Sequence, residues 1–307
     1  MVASRSLGRL KRAHVDAAPA AAPRPERPPR TTGKRGPTQS PFEKAVSPGK
    51  PPLDLLGHRP FEPVRPMAFE FLSPAEHQRV LLDLQQAKEI AREPLAAPRA
   101  LFENDNFKLT LKCRDGRVFH AVYKTGLAQH WTKNIFLIPR WEQEIVAYQL
   151  SEAMRMGLVP PTIEREFNGK VGALQFWMQG HTDLYQASFR RPPVPRSRLD
   201  KLFAFHYVFR NCDAGKQNHL VPGIGIDFEQ LMDSSHRWSE KQWRQMVNGV
   251  LQVVETQPEP DPSARKWLVD LTEEPIVSVL EAHQYPAAAI GEAIQRLRHV
   301  QEHGLPF

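Results

Sequence analysis

The sequence predicts an α+β protein of two lobes, a β-rich N-terminal lobe and a helical C-terminal lobe, preceded by a tail without regular structure. Three observations lead there. Between residues 107 and 178, segments alternating apolar and polar residues flank Asp115-Gly116 and Asn168-Gly169, the pattern of β-hairpins. Beyond Gly180, apolar residues recur at helical spacing. The first 66 residues hold 13 of the 29 prolines and too little apolar surface to offset the entropy of an ordered chain. The expected organisation is a basic Pro/Ala-rich disordered tail (1–66), an N-lobe with a preceding helix (67–180) and a helical C-lobe (181–307).

Each element has a local cause. Ser73-Pro74-Ala75-Glu76 is a helix start, with Ser as cap, Pro at the first position and Glu at the third. The helix is expected to run to about Arg92, before Pro94 and Pro98. Phe107–Cys113 and Val118–Lys124 form the first hairpin. Trp141–Met156 reads as an amphipathic helix carrying Ile145, Tyr148, Leu150 and Met154 on its apolar stripe and ended by Gly157. Thr162–Phe167 and Val171–Met178 form the second hairpin. Leu199–Arg210 is a strongly apolar helix, followed by a loop-rich stretch from Asn211 to Asp233. Helices are expected at Ser239–Glu255, Ser263–Leu271, Glu274–His283 and Ala287–His303. Such an arrangement places a cleft between the lobes.

Charge and cysteine content narrow the function classes. The chain of 307 residues has a formal net charge of +7, but residues 1–68 carry 13 Lys or Arg against 5 Asp or Glu, and the remainder 28 against 29. The basic character belongs to the tail, which could contact an anionic partner such as nucleic acid or a membrane surface; it does not make the globular part a nucleic-acid binder. Cys113 and Cys212 are too far apart for a disulfide framework or a zinc quartet. A reducing, cytoplasmic location is the expectation, with export as an effector the alternative. No apolar run reaches 18 residues, so no membrane span is expected.

Five residues stand in an order suited to phosphoryl transfer. That reaction requires a cation on the phosphates, a group that orients the cation, a carboxylate at the acceptor hydroxyl and oxygen ligands for Mg²⁺. Lys124 ends the second strand. Glu144 lies on the helix that follows, where it could orient the Lys124 ammonium; Glu142 is its rival on another side of the helix, and Glu144 is preferred for its apolar neighbours Ile145 and Tyr148. In Asp213-Ala-Gly-Lys-Gln-Asn218, Asp213 could orient a hydroxyl proton and Asn218 could ligate Mg²⁺ through its amide oxygen. Asp227, in Gly225-Ile-Asp-Phe228, suits the main metal ligand. Lys216 is either a phosphate contact or a solvated loop residue.

These segments carry a family resemblance. Gln143-Glu-Ile-Val-Ala-Tyr-Gln-Leu150 with Gly157-Leu-Val-Pro-Pro-Thr162 resembles the Glu helix and the following Val-Pro-Pro-Thr strand of the phosphatidylinositol 3-/4-kinase-like superfamily. Val208–Asn218 resembles its catalytic loop and also that of the HipA-like bacterial Ser/Thr kinases; Ile226-Asp-Phe228 resembles its Ile-Asp-Phe-Gly metal loop. The resemblance spans about residues 104–235. It implies a protein-kinase-like fold and an atypical kinase using ATP and Mg²⁺. It assigns Lys124 to the phosphates, Glu144 to Lys124, Asp213 to catalysis, and Asn218 and Asp227 to the metal. It makes Gln175, Trp177, Met178 and Gln179 part of a hinge that receives adenine on backbone groups. The compact C-lobe and the absent lipid-kinase loop residues make a protein Ser or Thr hydroxyl the expected acceptor, with a lipid or other small molecule as the alternative. Three departures accompany it. Ala214 and Gly215 replace an Arg and a His after the catalytic Asp, Glu229 follows Phe228 where Gly is usual, and no Gly-rich phosphate loop is visible beyond Arg114-Asp115-Gly116. Glu229 and the missing Gly loop favour the alternative of a pseudokinase that binds nucleotide or a partner without turnover, the retained Asp213, Asn218 and Asp227 oppose it, and the lost Arg and His argue against a phosphoinositide kinase proper.

The remaining polar residues are expected to be structural. His181, His206 and His236 lack metal-ligand spacing, and His219 is read as a structural or exposed residue, with a phosphate contact as the alternative. Trp238, Trp243 and Trp267 are expected in the core, and Cys212 as a small buried hydrophobe. Arg190, Arg191, Arg196 and Arg198 form a basic stretch read as a solvated linker, with an acidic substrate as the alternative.

Overall fold

A computed structural model of the chain describes residues 69–95, 106–125, 140–228, 231–232 and 238–306. The expected disordered tail, Glu229 and His236 lie outside the described residues.

The N-lobe is a five-stranded antiparallel sheet in the order β1-β2-β3-β5-β4, formed by β1 (Lys88–Pro94), β2 (Asn106–Lys112), β3 (Val118–Lys124), β4 (Thr162–Phe167) and β5 (Lys170–Phe176). Helix α1 (Pro74–Gln86) precedes it, and α2 (Arg140–Ala153) connects β3 to β4. Leu84 and Ala87 at the end of α1 pack with Leu109, Leu111, Ala121, Tyr123 and Leu174 of the sheet, all buried. Each such aliphatic or aromatic side chain contributes roughly 1.5–3 kcal/mol on burial.

The first helix is shorter than its sequence suggests. It begins as expected, with the Ser73 hydroxyl accepting the Glu76 N–H and Glu76 accepting the Ser73 N–H. It ends at Gln86 rather than near Arg92, and Lys88–Pro94 is an edge strand instead. Two tertiary interactions override the helical propensity of Lys-Glu-Ile-Ala-Arg. The Arg165 guanidinium, from β4, donates to the Leu84 and Ala87 carbonyls and so satisfies the orphaned end of the helix. The backbone of 88–94 then pairs along β2, with a bulge at Ile90.

The C-lobe is built on α4 (Arg196–Val208), reached through the short α3 (Leu184–Ala187) and a 3₁₀ turn. Leu199, Leu202, Phe203, Phe205 and Val208 are fully buried, so α4 is apolar on nearly every side, as a central helix must be. One side packs on α6 (Pro262–Val269) and α8 (Ala287–His303), another on Val247 and Val250 of α5 (Glu240–Leu251). Helix α7 (Glu274–Ala282) packs on α2 and α8, so the core continues from the C-lobe into the helix that bears Glu144. Trp243 is buried, Trp238 meets it edge to face, and Trp267 is half-buried with its indole N–H on the Met154 carbonyl. Cys212 is buried, as expected. No helix among the described residues is long and apolar enough to cross a membrane.

The basic stretch is more structural than its composition suggests. Arg196 is buried against Asp200, Arg198 pairs with Glu70, and Arg191 reaches the Val254 carbonyl.

Glu152, in the last turn of α2, has a buried carboxylate with no hydrogen-bond partner among the described residues. Burial raises its pKa to about 8, and the negative end of the helix opposes its ionisation. The unfolded value is near 4.5, so folding favours the protonated form. The associated stability is complete below about pH 4.5 and is lost as pH rises through 8. Glu152→Gln is therefore expected to raise stability on the order of 3 kcal/mol at pH 9 and to change it little at pH 4. Urea unfolding at the two pH values checks this; an equal effect at both would contradict it.

Candidate active site

Lys124 ends β3 where three strands converge. It pairs with Asn106 of β2 on one side and Ala173 of β5 on the other. Gly172 makes this approach possible, because a Cβ there would collide with the Lys124 carbonyl oxygen. The Lys124 side chain is buried, and its Nζ lies 2.7 Å from Glu144 Oε1 and 2.7 Å from Asp227 Oδ1. Glu144 is 1% exposed, and the same Oε1 accepts the Phe228 N–H at 2.8 Å. One carboxylate on α2 thus fixes both the Lys124 ammonium and the backbone after Asp227. Glu142 points elsewhere and bonds His283 of α7 at 2.9 Å.

Asn218 and Asp227 are joined by a two-stranded ribbon. β6 (His219–Leu220) pairs with β7 (Ile224–Gly225), and the Ile226 N–H donates to the Asn218 carbonyl at 2.9 Å. The ribbon folds residues 218 and 227 back to its open end, although nine positions separate them. Gly225 lets the turn close, since a Cβ there would sit 2.8 Å from the Phe228 ring and 2.9 Å from Leu202. The Gly225 N–H also donates to the Leu158 carbonyl, which docks the ribbon on the chain leaving α2. Asp227 has φ 60, a left-handed conformation that Asp tolerates better than most residues and that recurs at functional sites. Its side chain is 39% exposed, so it faces Lys124 and solvent together.

Asp213 is half-buried at the start of the Asp213–Asn218 loop. Its carbonyl accepts the Asn218 Nδ2–H at 2.5 Å. This leaves the Asn218 amide oxygen as the atom with which that side chain would reach a cation. Behind the loop lie two histidines with no exposed surface. His206 Nε2 is 3.1 Å from His219 Nε2, His206 Nδ1 is 3.1 Å from Asn211 Nδ2, and His219 Nδ1 is 2.8 Å from the Gly215 carbonyl. Burial keeps both neutral, with His206 well below the usual imidazole range and His219 pushed down to about 4. The sequence reading missed this pair as part of the site. Position alone could have signalled it, since Asn211 and His219 flank the Asp213–Asn218 loop.

The hinge segment continues from β5. Gln175 lies inside the strand, and its side chain bonds Thr162 Oγ1 at 3.1 Å. The Trp177 N–H donates to the His120 carbonyl, the Trp177 ring lies under Lys108 Nζ at 5.1 Å, and the Met178 carbonyl accepts the His181 N–H. Gln179 is exposed. Adenine contacts along this segment would therefore involve backbone groups beyond those already bonded.

The Arg114-Asp115-Gly116 turn lies away from Lys124. Arg114–Arg117 joins β2 to β3 at the end of the sheet remote from Lys124, and its Asp115 and Arg117 are tied to each other and to Asp83 of α1. The connection from β1 to β2, between Pro94 and Asn106, lies at the end of the sheet where Asn106 pairs with Lys124. Residues 96–105 of that connection lie outside the described residues.

The donor set fits a magnesium-bound nucleotide. No cluster of three His, Cys, Asp or Glu suited to a metal occurs among the described residues. Asp227 and Asn218 supply two oxygens only, and Mg²⁺ commonly takes one or two protein ligands with the rest from phosphates and water.

No family model matches the chain. Over 107 residues, 30% of this chain, it is 26% identical to a phosphatidylinositol 4-kinase type 2-beta from Xenopus tropicalis; the match spans 22% of that protein, about a fifth of its length. Among solved structures, Hydra Fam20 with sugar covers 76% of this chain and 89% of its own at 14% identity and a TM-score of 0.47. The Helicobacter pylori proinflammatory kinase CtkA covers 70% and 93% at 8% identity and a TM-score of 0.41. The Rio2 kinase from Chaetomium thermophilum covers 76% of each chain at 14% identity and a TM-score of 0.37. The chain itself combines an antiparallel sheet ending in a Lys bonded to a helix Glu and to a loop Asp with a helical part carrying the Asp213–Asn218 loop, and the proteins it is similar to include a phosphatidylinositol 4-kinase and two further kinases.

Proposed function

We propose that this protein is an ATP- and Mg²⁺-dependent atypical kinase that transfers the γ-phosphoryl group to a hydroxyl, with a protein Ser or Thr as the acceptor. The observation that carries the reading is the buried Lys124 held between Glu144 and Asp227 at 2.7 Å each. In this reading Lys124 binds the phosphates, Glu144 holds it in register, and Asp227 and Asn218 hold the metal. Bound Mg²⁺ would neutralise charge on the phosphates. Asp213 orients the acceptor hydroxyl and receives its proton; the hydroxyl oxygen forms a bond to the γ-phosphorus as the bond to the β-bridging oxygen breaks and ADP leaves. The segment from Gln175 through Trp177, Met178 and Gln179 borders the adenine. The basic tail is proposed to contact an anionic partner.

Transfer of radiolabelled γ-phosphate to a protein acceptor and to phosphatidylinositol vesicles tests the assignment. Wild-type protein should label the protein acceptor in a Mg²⁺-dependent manner. Asp213→Ala and Asp227→Ala should each lower the rate about 10²- to 10⁴-fold. Turnover insensitive to both changes would overturn the enzyme reading, and labelling of the lipid alone would overturn the acceptor.

A second reading, nucleotide binding without turnover, is favoured by Ala214. Its side chain is fully buried directly after Asp213, where the resembling lipid kinases place a cation. Saturable ATP binding with no transfer to any acceptor would select that reading.

A further inference from the structure

The buried histidines behind the catalytic loop have only one consistent pattern of protons. The Gly215 carbonyl can only accept, so His219 Nδ1 carries the hydrogen and, in a ring with no exposed surface, His219 Nε2 accepts. His206 Nε2 must then donate to it, which leaves His206 Nδ1 to accept from Asn211 Nδ2. The Asn211 amide oxygen is thereby turned toward the Asp213 N–H, 3.4 Å away. The chain therefore runs in one direction from residue 211 to residue 215 and encloses Asp213. Further contacts connect it to the metal side of the site. Gly215 also accepts the Asn218 N–H, Asn218 bonds the Asp213 carbonyl, and the His206 ring stacks on Phe228 at 5.6 Å and 22°.

We propose that His206 and His219 are positioning residues, a one-way hydrogen-bond chain through two buried imidazoles that fixes where Asp213 and Asn218 present their side chains. The proposal rests on the phosphotransferase reading of that loop and adds the device that holds the loop in shape. Neither ring touches solvent, so substrate does not reach them and their effect passes through the loop. A purely space-filling pair would need the rings but not their nitrogens, and this distinction makes the proposal testable.

His206→Phe keeps an aromatic ring against Phe228 and removes both nitrogens. His219→Asn keeps a donor to Gly215 and breaks only the link to His206. For His206→Phe, kcat should fall about 10- to 100-fold while KM for ATP stays within about threefold. His219→Asn should fall less, and the double variant should be no worse than His206→Phe alone, because a single chain is being cut. Two readouts need no turnover. Amide exchange at Asp213 and Asn218 should accelerate at least about 10-fold in His206→Phe. Nitrogen-15 spectra of the wild-type imidazoles should show His206 protonated at Nε2 and His219 at Nδ1. Folded His206→Phe with wild-type kcat and unchanged exchange would overturn the proposal, as would the opposite tautomers. Should His206→Phe fail to fold, His219→Asn is judged on the same exchange and kcat criteria. Absence of phosphoryl transfer from the wild type would count against the kinase reading alone, and the exchange and tautomer results would then decide the positioning proposal.

Discussion

Lys124→Met is expected to lower phosphoryl transfer about 10²- to 10³-fold, the usual effect of removing one group that stabilises transition-state charge. It is also expected to destabilise the fold by about 3–5 kcal/mol, for a separate reason. Glu144 is 1% exposed and its Oε1 is shared between Lys124 and the Phe228 N–H. Without Lys124 that carboxylate stays buried with no counter-charge from β3, which is more unfavourable than never having built the pair. The two effects separate in the double variant Lys124→Met with Glu144→Gln. Neutralising the stranded carboxylate should recover most of the lost stability in urea unfolding and none of the transfer activity. If Lys124→Met retained transfer within about threefold of wild type at a temperature where it is folded, the phosphate role of Lys124 would be wrong.

The same contrast between local pattern and tertiary contact explains what the sequence revealed. Val118–Lys124 was legible to the residue, because strand alternation and the Asp-Gly turn are local signals. Glu144 was legible through its apolar neighbours, which placed it on the buried side of α2 while Glu142 went to His283. Lys88–Pro94 was not legible, because the Arg165 cap on α1 and the pairing with β2 come from residues 13 to 81 positions away. The His206–His219 contact was invisible for a related reason. Thirteen positions separate the two residues, one ends a helix and the other opens a two-residue strand, and no periodicity joins them.

Asp200→Ala is expected to cause a loss of about 3–5 kcal/mol, among the largest in the C-lobe, with the melting temperature falling by about 10 °C. Arg196 and Asp200 lie one turn apart on α4 with side chains 6% and 5% exposed, and Nε to Oδ1 is 2.7 Å. The pair is more than an ion pair. The Arg196 guanidinium donates to the Gln257 and Pro258 carbonyls, and Asp200 Oδ2 accepts the Asp261 N–H at 2.7 Å. These bonds hold the chain entering α6 against α4. Alanine at position 200 strands a buried guanidinium and an amide together. Replacing the whole pair by Arg196→Met with Asp200→Leu removes the stranded charge, but three backbone groups still lose partners worth about 1 kcal/mol each. The double variant should therefore recover only part of the loss, unlike a buried pair that bonds nothing else. Activity per folded molecule at low temperature should stay near wild type, because neither side chain borders Lys124 or Asp213. A loss below 1 kcal/mol for Asp200→Ala would mean that water reaches this pair and that the joint between α4 and α6 is held by apolar contacts of Leu268 and Ala264.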